Sequence, residues 1–240
     1  MFNENNTDLN PKYFLELFNM LAEHDHTETI KIILRKLDKD LVLNMAVEKR
    51  QTKLVNIVLE AGADPKSKNW DSENLSKATR RGNKEIVTSL LKWGDNPKAR
   101  ESEALRLGCE RGCEEIVQIL LEAGADPNAR ETATLTLAAA RNFEGIIKLL
   151  IKWEANPKAR NMEALRLSAG AGFLGIVKIL LDAGADSKNG QIGWNFLCAV
   201  ENGDQEGVEV ISIDADRNTG PNMNNFEFYH LLYKAFLFIV

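Results

Sequence analysis

Apolar residues recur along this chain in short helical blocks, and the polar breaks between the blocks fall on a fixed step. In "CEEIVQILLEAG" (113–124) Ile116, Val117, Ile119, Leu120 and Leu121 make a wide apolar face, which predicts a helix buried along one side. A shorter helix is predicted before it in "EALRLGCERG" (103–112), with Leu105, Leu107 and Gly108 turned inward. Between the two stands Gly112, and its counterparts Gly82, Asn142, Gly172 and Gly203 complete a series spaced 30, 30, 30 and 31 residues apart. Gly and Asn both tolerate the left-handed conformation found at helix ends. A second marker keeps the same step: "EAGADP" (60–65), "KWGDNP" (92–97), "EAGADP" (122–127), "KWEANP" (152–157) and "DAGADS" (182–187), at spacings of 32, 30, 30 and 30. Each unit thus reads as a short helix, a tight turn, a longer helix, and a loop opened by Gly and stiffened by Pro.

Aligning units to these markers predicts a single array over 1–240. Residues 10–38 form a degenerate first unit, with Ile30, Ile32, Ile33 and Leu34 in the longer helix and Asp25 in the glycine slot, as suits an N-terminal cap. Five regular units follow over 39–190, a decayed one over 191–220 and a lone C-terminal helix over 221–240. The stretch "KARESEALRLGCERG" (98–112) returns as "KARNMEALRLSAGAG" (158–172), and Trp93 and Trp153 alternate with Ala123 and Ala183. A 60-residue super-period results, as duplication of a two-unit block would leave. Each of these tryptophans fits packing as well as binding.

Composition narrows the function. A net charge of −5 argues against a surface built throughout for nucleic acid, although a local basic patch is compatible with it. The start "MFNENNTDLN" has no apolar signal region, and the longest charge-free apolar run, "AFLFIV", is far shorter than the roughly 20 residues of a membrane span, so a cytoplasmic location without membrane contact is expected. Three cysteines, Cys109, Cys113 and Cys198, are an odd number for a disulfide framework and read as reduced thiols. As metal ligands Cys109 and Cys113 would need His24 and His26 from far along the chain. Cys109 also shares its slot with Thr79, Ala139 and Ala169, which favours a small buried thiol. No GxSxG, P-loop, HExxH or strand-borne GxGxxG is present, and the glycine-rich "SAGAGFLG" (168–175) stands at a helix junction, as does "EHDHTE" (23–28). No catalytic residue, metal or cofactor is expected.

The stretch "IVQILLEAGADPNAR" (116–130), preceded by "ERG", resembles the ankyrin repeat, and the likeness recurs over nearly the whole chain. It implies an all-α, ankyrin-type solenoid of stacked helix-turn-helix units. Where that family carries G-x-T-P-L-H in a 33-residue unit, this chain has "SEALR" (102–106) in a unit of 30. Three residues are missing from the segment that makes the β-hairpin finger, so short turns are expected in its place. Such short units resemble those of large DNA viruses and some phages, which implies a protein that inhibits or recruits a host protein in the host cytoplasm.

Stacking the units sets equivalent residues side by side, and two rows of cations result. One holds Lys68, Arg100, Arg130 and Arg160 at the entrance to each short turn, and the other holds Lys49, Arg81, Arg111 and Arg141 at the end of each shorter helix. Partner contacts commonly fall at these two places in the family, so the resemblance implies a basic groove on the concave face. Local pairing offers a competing account, since Arg100 lies three residues from Glu103 and Arg160 three from Glu163. Exposed pairs of this sort contribute about 0 to 1 kcal/mol and yield readily to a ligand. Trp70, in the one lengthened loop "KSKNWDSEN" (66–74), is a further contact candidate. The apolar C-terminal segment "FEFYHLLYKAFLFIV" (226–240), with Phe226, Tyr229, Tyr233 and Phe236, suggests a homodimer or a partner seated there. The sequence thus reads as a non-enzymatic protein that binds an acidic segment of a partner protein, the alternative being a nucleic acid or nucleotide held through the same arginines.

Overall fold

The computed structural model describes residues 11–66 and 73–185. Among them are twelve α-helices and no strand, so the fold is an all-α repeat of helix pairs. The chain divides into two compact units, Met1–Asp126 and Pro127–Val240. The first contains α1 (Pro11–Glu23), α2 (Thr27–Leu34), α3 (Lys39–Glu48), α4 (Thr52–Glu60), α5 (Glu73–Arg80), α6 (Lys84–Lys92), α7 (Ala99–Arg111) and α8 (Glu114–Glu122). The second contains α9 (Ala129–Ala140), α10 (Glu144–Lys152), α11 (Ala159–Gly170) and α12 (Leu174–Asp182).

Within the first unit α3, α5 and α7 pack in sequence as one layer and α4, α6 and α8 as the other, while α1 and α2 cover α4. Within the second unit α9 packs on α11 and α10 on α12. The buried letters are those the periodicity marks. Leu43, Leu75 and Leu105 fill one layer of the first unit, and Val55, Val87 and Val117 with Val58, Leu90 and Leu120 fill the other. In the second unit Leu135 and Leu165 face Ile147, Val177, Leu150 and Leu180. Burying side chains of this size contributes about 1.5 to 3 kcal/mol each. Ile119 is only half-buried, which narrows the expected face of α8 by one residue.

The second helix of each pair from α4 to α12 ends in the same hydrogen-bonded turn. The Ala63 N–H donates to the Val58 carbonyl, and Asp95, Ala125, Ala155 and Ala185 donate likewise to Leu90, Leu120, Leu150 and Leu180. That closure needs one left-handed residue. Gly62, Gly94, Gly124 and Gly184 supply it at φ of 90 to 94°, and Glu154 supplies it in the fourth loop at φ 64°.

The short turn that stands where a hairpin was missing takes an unexpected form. Arg100, Glu101 and Ser102 all have left-handed backbone, at φ 51, 56 and 56°, and the Ser102 N–H closes the turn on the Lys98 carbonyl at 3.2 Å. Arg130 (φ 50°), Arg160 (φ 51°) and Met162 (φ 57°) repeat the conformation, with Met162 N–H on the Lys158 carbonyl at 3.3 Å. Right-handed helix begins only after this turn, so Glu103 opens it, as the sequence suggests.

Candidate functional site

The two halves of the twice-written stretch do different work. In "EALRL" Leu105 is buried, and the Arg106 guanidinium is bound by two carboxylates. Its Nε and Nη2 donate to Glu103 at 2.9 and 2.8 Å, and its Nη1 donates to Glu110 at 2.9 Å. These bonds hold its pKa above the ordinary arginine value, the hydrogen bond to Glu103 being the largest cause. Arg106 is thus a structural residue on the surface of α7. In the second copy Glu163 takes Arg160 Nε at 3.1 Å and lies 4.0 Å from Arg166 Nη2.

The cations of the two rows are exposed wherever the structure describes them: Lys49, Arg81, Arg100 and Arg111 in the first unit, Arg130, Arg141 and Arg160 in the second. Lys68, Trp70, Phe226, Tyr229, Tyr233 and Phe236 lie outside the described residues. Trp93 and Trp153 cap the ends of α6 and α10 and are 44% and 38% exposed, too open to count as core residues.

Three consecutive helix pairs of the first unit bring their junctions together around an open cleft of about 480 Å³. Glu48 and Arg50 line it from the α3–α4 turn, Lys77, Arg80 and Arg81 from the end of α5, and Arg111 from the end of α7. Five cations therefore face one carboxylate. Arg81 Nη2 stands 4.0 Å from Glu48 Oε1, both side chains about half exposed, so this contact neutralises little of the field. The placement of Lys77 is built from below. The buried Asn44 and Asn74 are joined by a 3.0 Å hydrogen bond, and the Lys77 ammonium donates to Asn44 Oδ1 at 3.3 Å and pairs with Glu73 Oε1 at 3.1 Å.

A cation in the last turn of a helix is favoured by the helix dipole by about 0.3 to 1 kcal/mol, and Arg80 and Arg111 are so placed. That accounts for each taken singly. It does not account for Arg50, which stands beyond its helix with left-handed backbone at φ 61°. Of the cleft residues, the row pattern found Arg81 and Arg111 and missed Arg50, Lys77 and Arg80. The signal was present in the dipeptides Lys49-Arg50 and Arg80-Arg81, where both members are cations and a row takes one.

Elsewhere the described residues offer little chemistry. The Cys109 thiol is buried, and burial pushes its pKa well above the ordinary range, while Cys113 is partly exposed. Among the described residues no three His, Cys, Asp or Glu side chains are grouped so as to hold a metal ion, and no helix is long and apolar enough to cross a membrane.

Residues 43–131 match the family model described as ankyrin repeats, in three copies. That span runs from α3 through α8 and includes every residue lining the basic cleft. A search of curated proteins found no match to the chain. Residues 43–131 thus carry ankyrin repeats, and repeats of this kind generally act as scaffolds for protein–protein interaction.

Proposed function

We propose that this protein is a non-enzymatic binder that takes an acidic segment of a partner protein on its exposed cations. The cleft among α3, α5 and α7, with five cations and one carboxylate, is the observation that carries this reading. Guanidinium groups suit the role because each presents a planar fork of donors to a carboxylate or phosphate. Lys49, Arg81 and Arg111 belong to the contact surface of the first unit, and Arg141 to that of the second. Arg100, Arg130 and Arg160 join them from the left-handed turns, and Lys68 and Trp70 from the lengthened loop. The short repeat units support a viral or phage origin and a host protein, met in the cytoplasm, as the partner inhibited or recruited.

Reversing charge at two exposed junction residues tests this reading. Arg111→Glu together with Arg141→Glu is expected to abolish capture of the partner, identified by affinity capture and mass spectrometry, with the circular dichroism spectrum unchanged. Exposed substitutions of this kind usually shift stability by no more than about 0.5 kcal/mol. A doubly reversed protein that folds and still captures the same partner would rule out binding through these cations.

A further inference from the structure

Resting on that reading, we infer that the cleft of the first unit is a receptor for a phosphorylated side chain of the partner, a phosphoserine or phosphothreonine within an acidic peptide. Charge is the first argument. Arg50, Arg80, Arg81 and Arg111 bring four guanidinium groups against Glu48, the one carboxylate of the lining, while the Lys77 ammonium beside them is paired with Glu73. A carboxylate offsets a single one of these charges. A phosphate monoester carries about −1.5 to −2 at neutral pH and offers three acceptor oxygens, so it satisfies several forks at once. The cleft, at about 480 Å³, is roomy enough for such a group on its side-chain stem.

The lining decides among phosphate carriers. Among the described residues its lining contains no aromatic and no aliphatic side chain, so none of them stacks a base or shelters a hydrocarbon tail. Cations elsewhere in the first unit are interleaved with carboxylates: Lys84 pairs with Glu115 at 2.8 Å, Lys31 with Glu60 at 3.3 Å and Lys53 with Glu23 at 3.6 Å. A polyanion laid over this unit would meet those carboxylates as well as the cations. Concentration of positive charge at one place suits a single dianionic group on a peptide.

The test uses the full-length protein and three peptide libraries of identical acidic flanks, with phosphoserine, glutamate or serine at the fixed central position. Phosphoserine peptides are expected to bind at least about tenfold more tightly than glutamate ones, as one or two added charge-assisted hydrogen bonds would give. Arg81→Lys with Arg111→Lys keeps the charge but removes two forks, and it is expected to erase most of that preference. Lys178→Ala, on an exposed residue of α12, is expected to leave it unchanged. Equal binding of glutamate and phosphoserine peptides would overturn the inference yet leave the acidic-partner reading standing. Binding of inorganic phosphate without any phosphopeptide would likewise overturn it, as would tighter binding of a single-stranded RNA. If no acidic peptide binds and the Arg111→Glu, Arg141→Glu protein still captures its partner, both readings fall.

Discussion

At position 154 a glutamate holds the conformation that glycine holds in the neighbouring loops. Left-handed backbone costs a residue with a Cβ about 1 to 2 kcal/mol, and Glu154 stands there at φ 64° with its side chain exposed. Its backbone is the useful part, because the Glu154 carbonyl accepts a 3.0 Å hydrogen bond from Asn128 Nδ2. Glu154→Gly keeps that bond and removes the strain, against the larger entropy a glycine loses on folding. A net gain of about 0.5 to 1 kcal/mol is expected. Urea unfolding should show a higher midpoint with an unchanged slope, and a lower midpoint would contradict the strain argument.

Among the elements, the left-handed turn matters most because it replaces an entire hairpin finger with three residues. Ser102 shows how it is retained. Its buried Oγ accepts the Asp126 N–H at 2.9 Å, tying the loop that leaves α8 to the start of α7. Asp40 Oδ1 does the same for the Asp64 N–H at 2.9 Å, and Asn128 Oδ1 for the Asn156 N–H at 2.8 Å. Ser102→Ala leaves the Asp126 N–H without that acceptor and is expected to cost about 1 kcal/mol, with faster hydrogen exchange at the Asp126 amide. Unchanged exchange there would show that the side chain does not hold the loop. The helices themselves were legible in the sequence, because Leu105 and Val117 recur with their equivalents on one step and a buried apolar letter reports its own environment. The missing finger was legible as well, from three absent residues. The left-handed turn was not, since Arg100, Glu101 and Ser102 include no glycine to mark it. Neither was the full cleft, because whether Arg50 and Arg80 face the same space depends on how three helix pairs stack.

For the molecule as a whole, the cleft is a local exception to an acidic surface. The chain carries 35 acidic and 30 basic residues, a net charge of −5, so an acidic peptide is repelled at long range and attracted only close to the exposed cations, which are most concentrated in the cleft. Salt separates the two effects by distance. At about 0.01 M the Debye length is about 30 Å and the whole charge of the chain is felt, whereas at about 0.15 M it is about 8 Å and the nearby cations dominate. Raising salt from the lower value should therefore screen the repulsion first. Beyond about 0.15 M the attraction of Arg50, Arg80, Arg81 and Arg111 is screened in turn, since exposed ion pairs weaken with salt. The association rate of an acidic phosphopeptide, measured by stopped flow, is expected to pass through a maximum at intermediate ionic strength. Arg81→Glu with Arg111→Glu should convert the curve into a slow, continuous rise with salt, because only repulsion then remains to be screened. A rate that falls steadily from the lowest salt in the unaltered protein would mean that the cleft outweighs the net charge at every distance.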